Sequence, residues 1–247
     1  MRMKLATYNI CHCGNYENWK KGDALPVNIA RTAEVIAEIG ADVIGLNEVY
    51  TIGEREDFCA QEEKLAKLAG YPYYAFAKGK AFEWATIGNA ILSKYPIISV
   101  REIAIPAPTE EERNPNENAW YEDRVLLCVE IDYKGRKICV ISTHFGLNPT
   151  EQRRIVEASC KEIDSCENVV IMGDFNVLPD SEFLEPLYAR LKSVAKEVHN
   201  KEFTFSTYNP EIQIDYIFVP KTATIQDYTV YKNHVSDHRP ISAEIDF

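Results

Sequence analysis

The sequence predicts an α/β fold in which two mixed β-sheets pack face to face with helices outside them. Three observations carry that expectation. The chain starts as β-α-β, candidate strands outnumber candidate helices, and strands 124–133 and 137–143 stand at hairpin spacing around Lys134-Gly135-Arg136. A β-α-β unit brings parallel pairing and a hairpin brings antiparallel pairing, which favours mixed sheets over a purely parallel one.

Taken in order, 3–10 and 41–47 are apolar runs of strand length. Between them Ile29, Ala33, Ile36 and Ala37 recur at helical spacing, in a helix running from about Pro26 to Ile39. A second helix is expected at 57–69, followed by short strands at 72–77, 87–93, 97–105, 124–133 and 137–143. Asn148-Pro149-Thr150 introduces a third helix at 150–164, because Asn or Thr can cap and Pro suits the first turn. Strands at 168–172, 212–219, 224–231 and 240–246 complete the pattern. The least regular stretch, 106–123, is rich in Pro, Glu and Asn and reads as a solvated excursion.

A chain of 247 residues, 46% hydrophobic, can bury a substantial core, and a single domain over 1–247 is expected. No window of about twenty apolar residues spans a bilayer. The first residues run into a strand pattern instead of a secretory signal, so a cytoplasmic location is expected. Seven cysteines, an odd number, read as reduced thiols. Cys11-His12-Cys13 has the residue types of a zinc nucleus, but no second ligand pair at matching spacing follows. The formal charge of −11 opposes attraction to a polyphosphate backbone, while a few local cations can still serve a small phosphorylated substrate.

Polar residues cluster where apolar strands end: Asn9, Glu48, His144, Gly173-Asp174-Phe175-Asn176 and Ser236-Asp237-His238-Arg239-Pro240. Singly, each is an ordinary surface residue or turn former. Together, on neighbouring strands, they meet at one sheet edge and read as a hydrolytic metal site. The carboxylate of Glu48 and the carboxamide of Asn9 suit Mg²⁺, an oxygen-seeking ion that keeps several waters. Asp215 sits in a largely apolar run and needs a partner. His238 is the natural one, since a carboxylate on one ring nitrogen fixes the tautomer and favours the cation, leaving Asp237 to face the metal. His144 is either structural or catalytic, and Arg124 either pairs with a neighbouring acid or forks onto a phosphate. Trp84 and Trp120 either stack on the organic part of a substrate or cover core edges.

These residues carry a family resemblance. Thr7-Tyr8-Asn9-Ile10, Leu46-Asn47-Glu48-Val49, Gly88-Asn89-Ala90-Ile91-Leu92-Ser93, Ser142-Thr143-His144, Gly173-Asp174-Phe175-Asn176, Ile214-Asp215-Tyr216-Ile217 and Ser236-Asp237-His238-Arg239-Pro240 resemble, in order, the endonuclease/exonuclease/phosphatase superfamily. The resemblance implies a four-layer α/β/β/α sandwich and Mg²⁺- or Mn²⁺-dependent cleavage of phosphoesters. It implies Glu48 as principal metal ligand, with Asn9 and Asp237 helping to build the metal and phosphate site. It also implies Asp174 and Asn176 on the attacking water, His238 held by Asp215, His144 and Arg124 on phosphate oxygens, and Asn89 near the substrate. Asn47 stands where relatives commonly carry Gln, and Cys11 stands where the abasic-site endonucleases carry a second acid. His12 and Gly14 are closer to the broad bacterial branch.

The leading expectation is a phosphodiesterase or phosphatase for a small or lipid-derived phosphoester. A nuclease is the alternative, with Lys78, Lys80, Phe82 and Trp84 as its candidate contact stretch. A non-catalytic binding protein of the same fold is a third reading, opposed by the intact Glu48, Asp174, Asn176, Asp215 and His238.

Overall fold

A computed structural model describes residues 1–54, 56–117 and 120–247. In chain order the elements are β1 (Arg2–Asn9), α1 (Ile29–Ile39), β2 (Val43–Gly53), α2 (Gln61–Ala69), β3 (Tyr73–Ala81), β4 (Ala85–Ser93), β5 (Ile97–Ile105), β6 (Arg124–Tyr133), β7 (Arg136–His144) and α3 (Pro149–Ser165). There follow β8 (Val169–Asp174), α4 (Glu185–Arg190), β9 (Leu191–Ser193), α5 (Val194–Glu197), β10 (Asp215–Pro220), β11 (Thr224–Val230) and β12 (Ile241–Asp246). Among the described residues the strands form two six-stranded sheets, ordered β11-β12-β1-β2-β4-β3 and β5-β6-β7-β8-β10-β9. Each contains one parallel pair, β1 with β2 and β7 with β8, and its other pairs are antiparallel.

Strand alternation explains the layering, because successive side chains point to opposite sheet faces. In β8, Val170 and Met172 join the core between the sheets, with Leu5, Leu127 and Ile217. Their neighbours Val169 and Ile171 face outward and pack with Ile155 and Ile163 of α3. In the first sheet, Met3 and Leu5 point inward while Ala6 and Tyr8 pack with Ile36 and Ile39 of α1 and Leu65 of α2. Three apolar layers therefore alternate with four layers of secondary structure, α/β/β/α. Among the described residues, no helix is long and apolar enough to cross a membrane.

Local chemistry sets the boundaries. Helix α1 starts later than the periodicity suggests, because the Asn28 side chain accepts from Arg31 N–H at 3.0 Å, while Val27 upstream bridges to Gly14. Gly40, left-handed at φ 63°, ends the helix. Pro149 opens α3 with Asn148 at the capping position, but the Asn148 side chain donates to Glu151 Oε2 instead of accepting from the helix. Lys134 and Gly135, both at positive φ, make the two-residue turn between β6 and β7. The excursion at 106–123 is more ordered than expected. Thr109 and Glu112 form a capping box around one 3₁₀ turn, and Glu112 pairs with Arg154 of α3 at 2.7 Å. Asn118 and Ala119, within that stretch, lie outside the described residues.

Candidate active site

Both parallel pairs end at the same edge of the sandwich. Asn9 lies opposite Asn47 where β1 meets β2, and His144 lies opposite Asp174 where β7 meets β8. Strand β10 runs antiparallel and begins there, with Asp215 opposite Asp174, and the segment 236–240 leads into β12 at the same edge. Strand β2 does not stop at Glu48 as expected. It continues through a bulge, with register jumping between Leu46 and Val49, and Glu48 adopts a left-handed φ of 58°. The irregularity turns this carboxylate out of the alternating pattern while the ladder resumes beyond it. Asn176 is also left-handed, at φ 50°, and its backbone N–H donates to Asp174 Oδ1 at 2.9 Å.

Asn9 links two carboxylates across the sandwich: its Nδ2 lies 3.0 Å from Glu48 Oε1 and 3.1 Å from Asp174 Oδ2. Its oxygen accepts from Cys11 N–H at 3.1 Å, which fixes the amide orientation. In this arrangement the Asn9 amide nitrogen bridges the carboxylates of Glu48 and Asp174. The fully buried Asn47 is the second connection, and sequence reasoning noted it only as a family variation. It donates to Asn89 Oδ1 at 2.8 Å and to Thr143 O at 2.9 Å, and accepts from Asp174 N–H at 2.9 Å. Ser236, which opens the motif Ser236-Asp237-His238-Arg239-Pro240, donates to Asn9 O at 2.8 Å and accepts from His238 N–H at 3.3 Å.

His238 Nδ1 lies 3.0 Å from Asp215 Oδ2, and its Nε2 lies 3.6 Å from Asp174 Oδ2. His144 Nε2 approaches the same Asp174 oxygen, at 3.5 Å. Burial acts to lower the pKa of His238, but the charges of Asp215 and Asp174 outweigh it and raise the ring to about 10. Burial raises Asp174 to about 7, with His238 opposing and Asp215 reinforcing that shift. Burial, aided by the charges of Arg124 and His238, holds His144 well below the usual imidazole range, so it is neutral. One imidazolium and one neutral imidazole thus approach the same oxygen of Asp174, while Asp215 pairs with the imidazolium from its other side.

A cleft of about 220 Å³ opens beside these groups, lined by His12, Glu48, Asn89, Arg124 and His144 and by Tyr50 and Phe82. Arg124 is already engaged, with Nη2 3.1 Å from Glu122 Oε2 and Nε 3.8 Å from Glu151 Oε1. Both ends of the Asn89 amide are tied to the scaffold, through Asn47 and through Val125 O at 2.9 Å. Trp84 and Trp120 lie outside the lining. Trp84 stacks on Phe82, and the Trp120 ring takes Lys80 Nζ 4.6 Å from its centroid. Lys80 lines the cleft and pairs with Glu122 at 2.9 Å, so Glu122 joins two cations at the cleft wall. Only Lys80 and Phe82 of the candidate contact stretch reach the cleft.

The donor chemistry at Glu48 fits a cation. Its Oε1 receives Asn9, while Oε2 faces His12 Nδ1 at 3.9 Å, beyond hydrogen-bond reach. Burial and then the negative charge of Asp237 raise the Glu48 carboxyl. A divalent ion bound at Glu48 would offset this repulsion. Asp174, Asp215 and His238 also cluster closely enough to hold a metal. Within this group His238 Nδ1 and Asp215 Oδ2 are already hydrogen-bonded at 3.0 Å.

Comparison with known proteins gives a consistent frame. The family model described as the Endonuclease/Exonuclease/phosphatase family matches residues 6–238. The uncharacterized protein YbhP of Escherichia coli K12 is 26% identical over 231 residues, covering 86% of each chain. An endonuclease/exonuclease/phosphatase structure from Beutenbergia cavernae superposes with a TM-score of 0.78 at 21% identity, covering 100% of this chain and 72% of that one. A mannosyl-6-phosphatase of Bacteroides thetaiotaomicron superposes with a TM-score of 0.73 at 18% identity, covering 99% and 100%.

Proposed function

Because the chain belongs to the endonuclease/exonuclease/phosphatase family, we propose that it is a divalent-metal-dependent phosphoester hydrolase acting on a small phosphorylated molecule. The observation that carries the reading is the position of Asp174. One oxygen of this buried carboxylate receives Asn9 and is approached by both His238 and His144, beside Glu48 at the cleft.

In this reading Asp174 orients the attacking water and accepts its proton. A base with a pKa near 7 combines the right ionisation state with useful driving force at neutral pH. His238, held cationic by Asp215, neutralises charge building on the phosphoryl oxygens, and neutral His144 donates one ring N–H to them. Asn176, anchored through Nδ2 to Phe145 O at 3.0 Å, holds the turn that aims Asp174. Arg124 exchanges part of its pairing with Glu122 for a substrate phosphate. Glu48 and Asp237 would hold a divalent cation, for which the family resemblance alone implies Mg²⁺ or Mn²⁺. When bound, it supplies positive charge that polarises the phosphoryl group and favours ionisation of a nearby water.

Tyr50 and Phe82 give the cleft an aromatic wall, which supports a substrate with an organic portion beyond its phosphate. The mannosyl-6-phosphatase neighbour makes sugar phosphates the first members of a test panel. The nuclease reading is weaker, because Lys80 is already paired with Glu122 and the chain carries a net charge of −11. Seven cysteines without disulfides fit the reducing environment of the cytoplasm.

The reading is tested with purified protein on a panel of sugar phosphates, nucleotides, inositol phosphates, phospholipids and an aryl phosphodiester, with added divalent cation. Asp174→Asn should lower kcat at least about 100-fold on whichever substrate turns over, with the folded state retained by circular dichroism. Near-native turnover by that variant, or no turnover anywhere in the panel, would remove the proposal.

A further inference from the structure

The Cys11-His12-Cys13 triplet has no part in the mechanism above, yet the fold holds it in a conformation that side chains rarely adopt. All three residues have left-handed φ values, 43°, 47° and 62°, in succession. Many hydrogen bonds fix this turn. Cys11 N–H donates to Asn9 Oδ1 at 3.1 Å, Gly14 N–H to Cys11 O at 2.7 Å, and Gln61 Nε2 to His12 O at 2.9 Å. Cys13 is consumed by packing among the apolar residues under α1. The other two side chains approach Glu48, His12 from the cleft lining and Cys11 from the buried side. A ligand atom from each of Cys11, His12 and Glu48 lies within 4.8 Å of the other two. His12 Nδ1 is 3.9 Å from Glu48 Oε2, and His12 and Glu48 both line the cleft.

We propose that Cys11 and His12 join Glu48 in one cation site, and that this mixed sulfur, nitrogen and oxygen site selects a borderline ion such as Zn²⁺ or Co²⁺ over Mg²⁺. The inference rests on the reading that Glu48 holds the catalytic cation. A third ligand beyond Cys11 and His12 is supplied by the fold, as the Glu48 carboxylate from the β2 bulge. Metal–ligand bonds of about 2.0–2.3 Å set tetrahedral ligands roughly 3.3–3.8 Å apart, so the cluster closes with side-chain shifts of about 1 Å. Mg²⁺ favours an all-oxygen, near-octahedral shell, whereas thiolate and imidazole favour Zn²⁺ and its neighbours. As the metal–sulfur bond forms, the thiol proton passes to solvent. Tyr16 OH, 3.6 Å from Cys11 Sγ, is placed to donate to the resulting thiolate.

Cobalt reports sulfur ligation directly. Metal-free protein is titrated with Co²⁺ while the near-ultraviolet thiolate-to-cobalt charge-transfer absorption is recorded, and Zn²⁺ and Mg²⁺ binding is measured by calorimetry. The wild type should show the band, Cys13→Ser should keep it, and Cys11→Ser should lose it. Cys11→Ser and His12→Gln should each weaken Zn²⁺ at least about 10-fold, the scale set by loss of outer-shell support alone, while Mg²⁺ binding changes little. Glu48→Gln should weaken Co²⁺ and reduce the band.

Cobalt bound to the wild type without the band overturns the proposal, and this outcome needs no variant to fold. If Glu48→Gln still abolishes that binding, the catalytic cation reading stands while the Cys11 assignment falls. A band undiminished in Glu48→Gln places the thiolate site elsewhere and also overturns the shared site. Absence of any cation binding by the wild type removes both readings.

Discussion

At the scale of single residues, the site depends on amides and imidazoles that hold carboxylates where they would otherwise repel. Asn9 spans Glu48 and Asp174, Asn47 spans the two sheets, and His238 stands between Asp215 and Asp174. The charge on His238 gives a pH signature in the metal-free protein. Its folded pKa, about 10, lies above the ordinary imidazole value of 6.5, so folding takes up a proton between those values. The stabilisation is complete below the unfolded pKa and is lost as pH rises through the folded one. With EDTA present, the melting-temperature deficit of His238→Gln should therefore be largest near about pH 6 and shrink toward about pH 10. A deficit independent of pH would show that the folded ring is neutral. The partnership of Asp215 with His238 was legible in the sequence, because a carboxylate in an apolar strand demands a cation. Asn47 and Ser236 were not legible as connectors. Their roles depend on which backbone oxygens lie opposite, and only the packing of one sheet on the other decides that.

At the scale of elements, the site depends on two parallel strand pairs ending together and on backbone that departs from the regular ladder. Gly173, at φ 149°, precedes Asp174, and a Cβ there would lie 1.8 Å from Thr143 O on the adjoining strand. Gly173→Ala should cost about 3–5 kcal/mol in urea unfolding and lower kcat by displacing Asp174. An alanine variant with wild-type stability and rate would mean that β7 and β8 yield easily at this point. Long strands and helices were readable because alternation and helical periodicity persist through them. Helices α4 and α5 and strand β9 were missed, since runs of six, four and three residues are too short for either period to emerge. The extension of β2 was missed for another reason: Glu48 resembles a strand terminus in the sequence, whereas the bulge lets the strand pass beyond it.

At the scale of the whole molecule, three apolar layers fix four layers of secondary structure, and an acidic surface surrounds a cleft with few cations. Lys80 and Arg124 line that cleft and already share Glu122. Binding to labelled duplex DNA by anisotropy should be weaker than the roughly 10⁻⁴–10⁻⁶ M of ordinary nonspecific binders at physiological salt. Micromolar binding there would favour the nuclease reading. The overall fold class was legible from strand spacing and the β-α-β start, and the edge where chemistry gathers was legible from polar residues at strand ends. The cleft wall was less so, because Tyr50, Phe82 and Glu122 come from distant segments and their side chains follow no shared motif. The central claim is that a cation at Glu48 and the carboxylate of Asp174 act together on a phosphoester. It is tested most directly by removing divalent cations with EDTA and restoring them during turnover of the best small substrate, in wild type and Glu48→Gln side by side. Wild-type turnover should vanish and return with the cation while Glu48→Gln stays at least about 100-fold slower. Turnover that ignores EDTA, or a Glu48→Gln variant as fast as wild type, would contradict the account.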